Sequence, residues 1–292
     1  MFARIARQYR RFLLGSALLT LIVALGLLLG LADWPADMSN PLLVTLSWLI
    51  LLVLVVGIPV ALFALLLPGL LPLIEIWGIA LLLLGLLDPA IRFVIAQAAL
   101  PGWSWCIALF AVFICVERAL YGPWLLDFRR RDMPERTATL VIPGTPDAIW
   151  RALAPDPEHP QNFYWPGASF LAPPRGSHAD VVLNLPRQGG YKDALLKIHL
   201  ERADPPARLR YRAEPMPGSA DPAHHVAIDI APIDGGKCRV IYTLQYLDVP
   251  LGRRLFYYLN HDFRDTLASL RARLSGRPDR SIQGLQMLKS SP

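Results

Sequence analysis

Between Phe12 and Tyr121 the chain is almost continuously apolar, and beyond it apolar and polar residues alternate in short runs. The change of period divides the chain in two. Phe12 to Ala32 follows Arg4, Arg7, Arg10 and Arg11, and its run of about 21 residues matches the ~20 that a helix needs to cross ~30 Å of hydrocarbon. A signal peptide also begins basic, and Gly30-Leu31-Ala32 loosely resembles a cleavage site. A signal's apolar core is only ~7–15 residues, however, so the run reads as a retained anchor. Asp33 to Asn40 is a polar loop with acids and no base, and Asn40-Pro41 has the cap and first-turn proline of a new helix. From Leu42 to Leu87 Glu75 alone is charged. That stretch suits two spans, with Pro68-Gly69 and Pro72 at the turn and a kink at Gly57 and Pro59. Asp88-Pro89 repeats the cap pattern and predicts a short interfacial helix over 89–100, whose apolar face is Ile91, Val94, Ile95 and Ala98. Pro101-Gly102 ends it, and Trp103 to Tyr121 completes the series, with Trp103, Trp105, Tyr121 and Trp124 as an aromatic belt. The expectation for 1–121 is therefore an all-α membrane domain of four transmembrane helices, at about 12–32, 42–66, 70–87 and 103–121.

After a linker over 122–135 the pattern turns to strands. Thr137 to Ile142 reads as a strand, and Thr145-Pro146-Asp147 as N-cap, first-turn proline and dipole-favouring acid of a helix carrying Ile149, Trp150 and Leu153. Val181, Leu183 and Leu185 recur at every second position. Apolar residues do so too over Ala194 to Leu200, Leu209 to Ala213, Val226 to Ile230 and Cys238 to Tyr246, with Asp234-Gly235-Gly236 as a hairpin turn. Period-two runs of this kind predict an antiparallel sheet with one apolar face. Phe256, Leu259, Phe263, Leu267, Leu270 and Leu274 recur at three and four residues and predict one long helix over about 250–274. Gly276 and Pro278 end it, and 277–292 reads as a disordered polar tail.

Composition sharpens the membrane reading. Hydrophobic residues make up 54% of the chain, too many for an ordinary soluble protein, and the excess lies before Tyr121. The net charge of +6 fits positive-inside bias and anionic headgroups rather than nucleic acid, for which no binding signature is present. Cys106, Cys115 and Cys238 form neither a disulfide framework nor a CxxC site. The arginines before the first span and Arg129, Arg130 and Arg131 after the last put both termini on the cytoplasmic side. The expected location is a bacterial cytoplasmic membrane. A single bent helix over 42–87 would instead give three spans and place the second domain outside. Glu75 and Glu117 are the intramembrane acids; a proton-relay role and simple pairing or snorkelling both remain open.

The order of strand, short helices, antiparallel strands and amphipathic C-terminal helix resembles the START-like or SRPBCC superfamily, also called Bet v 1-like or polyketide cyclase-like. The resemblance rests on Leu140-Val141-Ile142-Pro143-Gly144-Thr145-Pro146-Asp147-Ala148-Ile149-Trp150, on Phe163-Tyr164-Trp165-Pro166-Gly167, and on the Leu267–Leu274 helix. It covers 136–276 and nothing before. It implies an α+β helix-grip domain, a curved antiparallel sheet around a long helix, enclosing a pocket for lipids, sterols, aromatic polyketides or other apolar molecules. It transfers no catalytic motif.

On that arrangement the inward positions are Leu183, Leu196, Ile198, Leu209, Tyr211, Ile228, Val240, Tyr242, Leu244 and Tyr246, with Phe163, Tyr164, Trp165, Phe256 and Phe263 closing the ends. Buried tyrosine hydroxyls need partners, which a ligand could supply; plain core packing explains the same residues. His224 and His225 fall on opposite faces of a strand, and His261 falls across the helix from Phe263, toward solvent. No metal or other cofactor and no catalytic group is expected. Arg208, Arg210 and Arg212 share one face, either as an ordinary solvated surface or as a cationic face toward anionic lipid. The leading expectation is a membrane-anchored binding module for a lipid or other hydrophobic small molecule. The alternatives are a cyclase- or aromatase-like enzyme using Tyr211, Tyr242 and Tyr246 as proton donors, and a regulatory domain that docks a protein partner.

Overall fold

The computed structural model describes residues 5–6, 8–28, 41–67, 70–98, 101, 103–121, 130–188, 193–219 and 221–287, and only the backbone of 26–28 and 41–44. The 33–40 connection, Pro68-Gly69, most of the 122–135 linker with Trp124 and Arg129, and residues 288–292 lie outside the described residues. The chain separates into a unit of 1–129 with Leu251–Asn260, and a unit of Arg130–Pro250 with 261–292.

The described elements of the first unit are helical: α1 (Tyr9–Leu28), α2 (Pro41–Leu52), a π-helical turn (Val53–Gly57), α3 (Ile58–Leu66), α4 (Pro72–Gln97) and α5 (Ser104–Tyr121). Among the described residues three segments are long and apolar enough to cross a membrane: Thr45–Leu66, Pro72–Gln97 and Ser104–Tyr121. The π turn ends at Gly57, two residues before Pro59, which lies in the first turn of α3; the sequence predicts a kink at this place, where proline removes a backbone donor. Glycines set the helix contacts. A Cβ on Gly15 would lie 2.7 Å from Val56, and one on Gly78 would lie 2.7 Å from Leu18, so α1 approaches both neighbours more closely than any larger residue allows.

The interfacial helix expected over 89–100 is absent, because α4 runs straight through Pro89. Asp88 is buried and accepts from Arg92 Nε at 2.7 Å and from Trp105 Nε1 at 3.1 Å. Those bonds hold the Asp88-Pro89 turn inside the helix instead of at its start. The 26 residues of α4 rise about 39 Å, more than the hydrocarbon thickness.

The second unit is a seven-stranded antiparallel sheet in the order β1-β7-β6-β5-β4-β3-β2. The strands are β1 (Arg136–Pro143), β2 (Ser169–Leu171), β3 (Val181–Leu185), β4 (Ala194–Asp204), β5 (Arg208–Pro215), β6 (His224–Ile233) and β7 (Lys237–Tyr246). Helix α6 (Pro146–Leu153) follows β1 and starts as its sequence predicts, with Thr145 Oγ1 accepting from Ala148 N at 3.3 Å. Gly235 and Gly236 both take left-handed backbone, at φ 80° and 66°, in the three-residue turn that joins β6 to β7. First and last strands pair, which leaves β1 and β2 at the two edges of the sheet.

The single C-terminal helix expected over 250–274 is two helices, α7 (Leu251–Leu259) and α8 (Asp262–Leu274). His261 breaks them with φ 51° and ψ 39°, and it is 8% exposed rather than facing solvent. Left-handed backbone is open to His and Asn at modest cost, so no glycine or proline announces the break. Helix α7 belongs to the helical unit, where Gly252 lies so close to the carbonyl of Leu120 that no Cβ fits. The tail over 277–287 is ordered too. Helix α9 (Ile282–Gln286) is capped by Ser281, and the Asp265 carboxylate on α8 accepts from Ile282 N at 3.1 Å and Gln283 N at 2.7 Å.

Candidate functional site

Strand alternation places Leu183, Leu196, Ile198, Leu209, Ile228, Val240 and Leu244 on the covered face of the sheet, all buried. They fall into two apolar clusters. One gathers Leu209, Ile228, Val240, Tyr242 and Leu244 with Phe263 of α8. The other gathers Leu183, Leu196 and Ile198 with Phe163 and Trp165. Tyr164 and Tyr211 pack against both, and Tyr246 packs against the first. Register sets the tyrosines around β6: Tyr211 of β5 faces Val226, while Tyr242 and Tyr246 of β7 face Ile228 and His224.

The segment after α6 carries the aromatic wall. Tyr164 N donates to Ala152 O at 2.9 Å, which ties the segment to α6. Phe163 stacks at 4.8 Å from Tyr164 and meets Phe170 edge-on at 5.5 Å. Trp165 donates its indole N–H to Pro186 O at 2.9 Å, and the Arg187 guanidinium lies 5.6 Å from the indole ring. Arg187 in turn pairs with Asp221 at 2.6 Å.

The polar groups of this interior are unevenly satisfied. Burial pushes the Tyr164 phenol up to about 12 and raises Tyr211 and Tyr242 well above the usual phenol range. Among the described residues none bonds to these three hydroxyls. Tyr164 and Tyr211 nevertheless keep accessible surface. At one end of the wall Tyr246 donates its O–H to Asp262 Oδ2 at 2.6 Å. Burial raises Asp262 to about 6; the Tyr246 bond opposes this, and the like charges of Asp265 and Asp221 add to it. His224 sits edge-on to Tyr246 at 5.9 Å and donates from Nδ1 to Pro222 O at 3.0 Å, which leaves Nε2 as an acceptor. Burial holds its imidazole below the usual histidine range. The apolar clusters thus carry three phenols without protein partners among the described residues, with an acid, a phenol and a neutral imidazole at one end, which is the side-chain chemistry that suits an apolar molecule with a few polar groups.

Of the residues singled out in the sequence, Phe256 is not brought to this site. It lies in α7 within the helical unit, 5.4 Å from the Arg11 guanidinium. Arg208, Arg210 and Arg212 do share the outward face of β5, but Arg208 lies 3.7 Å from Asp229 and Arg212 3.0 Å from Glu214. Arg130 pairs with Asp248 at 3.0 Å, and the backbone of Arg131 bridges to Val249. Sequence reasoning missed Asp262, His224, Arg187 and Asp221. Asp262 was hidden by the apparent continuity of the helix. Arg187 and Asp221 lie in loops, where no periodicity marks a side as inward.

No family model matches the chain, and no curated protein matches it in sequence. Solved structures similar to it include a protein of Arthrobacter aurescens, at 12% identity and a TM-score of 0.37 over 50% of this chain and 88% of that one. The major latex-like protein 151 of Panax ginseng matches at 14% identity and a TM-score of 0.35, over 49% of this chain and 95% of that one. Ara h 8.0201 matches at 11% identity and a TM-score of 0.36, again over 49% and 95%.

Proposed function

We propose that the chain is a membrane-anchored module that binds a lipid or other hydrophobic small molecule in the hollow of its sheet unit. The observation that carries this is the set of phenols at Tyr164, Tyr211 and Tyr242. Their rings belong to apolar clusters, while their hydroxyls are desolvated with no protein partner among the described residues. Unpaired phenol hydroxyls set over apolar clusters are available to a ligand's polar group, which supports a ligand better than core packing does.

Four spans and cytoplasmic termini are part of the proposal. Arg11 at the start of α1 pairs with Glu75 at the start of α4 at 2.9 Å, with both side chains 0% exposed. Two helices whose starts lie side by side begin on the same side of a bilayer. The intervening Pro41–Leu66 stretch then has to return the chain, which supports the even count that the basic flanks predict. Reporter fusions after Asn40, Leu70, Pro101 and Arg131 test this, with the expected order outside, inside, outside, inside.

Binding is tested on the full chain in native membranes with a diazirine-bearing fatty acid or phospholipid. Cross-linked peptides from β5 and β7 are expected. Labelling confined to the helices before Tyr121 overturns the reading. An enzymatic reading gains one observation, since an acid raised to about 6 beside a phenol is suited to moving a proton near neutral pH. If a substrate is found, Asp262→Asn that leaves turnover intact rules that role out.

A further inference from the structure

A second concavity lies where α6, the 162–164 segment and the end of α8 meet. It is an open groove of about 310 Å³, floored by Ile149, Ala152, Phe163 and Leu274 and edged by Asn162 and Arg273. The volume is at the lower end for small-molecule sites, enough for roughly a dozen heavy atoms. Arg273 is placed there with its charge incompletely used. Its side chain is 23% exposed, its Nε lies 3.5 Å from Asp279 Oδ2, and that Nε makes no hydrogen bond. Asp279 is already committed, accepting from Ser269 Oγ at 2.6 Å, Ser281 N at 2.9 Å and Ser281 Oγ at 2.5 Å. The carboxylate therefore serves the tail, and the guanidinium keeps donors for a further anion. Five N–H groups in a fixed fork match a carboxylate or phosphate, and the apolar floor beneath them matches a hydrocarbon or aromatic body.

We propose that this groove is a binding site, separate from the interior hollow, for a small amphipathic anion: one carboxylate or phosphate seated on Arg273, with Asn162 as a second donor and an apolar body lying on Ile149, Ala152, Phe163 and Leu274. Tyr164 is common to the groove and the interior clusters. Its backbone is anchored to α6, the residue lines the groove, and it packs against both clusters.

The test uses the full chain in nanodiscs of zwitterionic lipid, titrated calorimetrically with 4-phenylbutyrate, 4-phenylbutanol, 4-phenylbutyl phosphate and inorganic phosphate. Saturable binding is expected for the two amphipathic anions, and whichever binds more tightly names the head group. Arg273→Gln weakens them by about tenfold or more while leaving phenylbutanol unchanged, and Arg273→Lys recovers part of the loss. Ala152→Trp, which fills the floor, removes anion and alcohol binding alike. Retention of the thermal transition in each variant separates these effects from unfolding. Equal affinity of wild type and Arg273→Gln for phenylbutyrate overturns the proposal. So does absence of saturable binding to the wild type, or inorganic phosphate competing as well as the amphipathic anions.

Discussion

In the helical unit Gln8, Arg11 and Glu75 are buried, while Leu49, Ile50, Val53, Leu54, Phe93 and Phe110 face outward. In the sheet unit Trp165, Ile142, Ile198 and Leu209 are buried, while Arg210, Glu201 and Lys237 face outward. The two regions use the same twenty side chains in opposite senses, and the proposed bilayer around the helices would account for the difference. Water rewards apolar burial by about 25 cal/mol per Å², so the sheet unit hides its apolar face. Lipid would give no such reward, and packing in the helical unit would then rest on close approach at Gly15 and Gly78 and on polar groups kept from hydrocarbon.

The largest expected effect breaks the polar interior of the helices. Glu75→Ala leaves Arg11 buried without its carboxylate and should cost about 3–5 kcal/mol, seen as a lost or lowered thermal transition of the detergent-purified chain. The double variant Arg11→Met with Glu75→Met should recover most of it. A single variant as stable as wild type would mean that water reaches the pair and that this interior is not dry.

A matched pair of charges sharpens the comparison further. Leu49→Arg on α2 and Val141→Arg on β1 both change an outward, exposed apolar residue. The first should cost about 2.5–3.5 kcal/mol if that face meets hydrocarbon, and the second should stay within about 0.5 kcal/mol. Equal effects would remove the membrane reading of the helices.

What the sequence made legible follows the same division. Alternation placed β1 and β3 to β7, and the Thr145-Pro146 start was readable, because each rests on a local rule that the tertiary structure obeys; β2 (Ser169–Leu171) was missed, since three residues are too few to show a period. The two breaks in helix pattern were misread in opposite directions. Asp88-Pro89 has the signature of a start but is carried through, with Asp88 bonded to Arg92 and Trp105. Asn260-His261 has no signature of a stop, yet the chain leaves one unit for the other there. The tail was misread because no apolar period holds it. Met287 is 1% exposed, but Asp265, Asp279 and Ser281 anchor the segment through side-chain bonds to backbone and hydroxyl groups. The wall of the candidate site was readable as inward positions; its polar end was not, since Asp262 is turned inward by the break at His261.

That polar end gives a smaller, pH-dependent effect. Asp262 binds its proton more tightly in the folded chain, at about 6, than in the unfolded one. Its contribution to stability is therefore fully present below the ordinary aspartate range and is lost as pH rises through about 6. Asp262→Asn should remove that slope and leave the sheet unit more stable than wild type above pH 7, by about 1–2 kcal/mol. Hydrogen exchange of β7 and α8 amides across pH 4–8 reads it. Tyr246→Phe removes the bond that favours the carboxylate, so it should move the wild-type transition to higher pH. An unchanged slope in Asp262→Asn would place the titration elsewhere.

The smallest effect concerns the arginines of β5. Near a bilayer each basic residue is worth about 1 kcal/mol of attraction to anionic headgroups, but only where its charge is not already matched. Arg208 and Arg212 face Asp229 and Glu214 on the same surface, at 3.7 Å and 3.0 Å, so the local field is mixed. Arg208→Gln, Arg210→Gln and Arg212→Gln combined should therefore change stability by less than about 1 kcal/mol. Hydrogen exchange of the full chain, compared in nanodiscs with and without phosphatidylserine, should show the same protection of β5 in wild type and triple variant. If phosphatidylserine protects β5 in the wild type and the triple variant loses that protection, the outward face of the sheet is a lipid-contacting surface. The contrast with the helices would then be one of degree, with both regions answering to the bilayer and only the helices entering it.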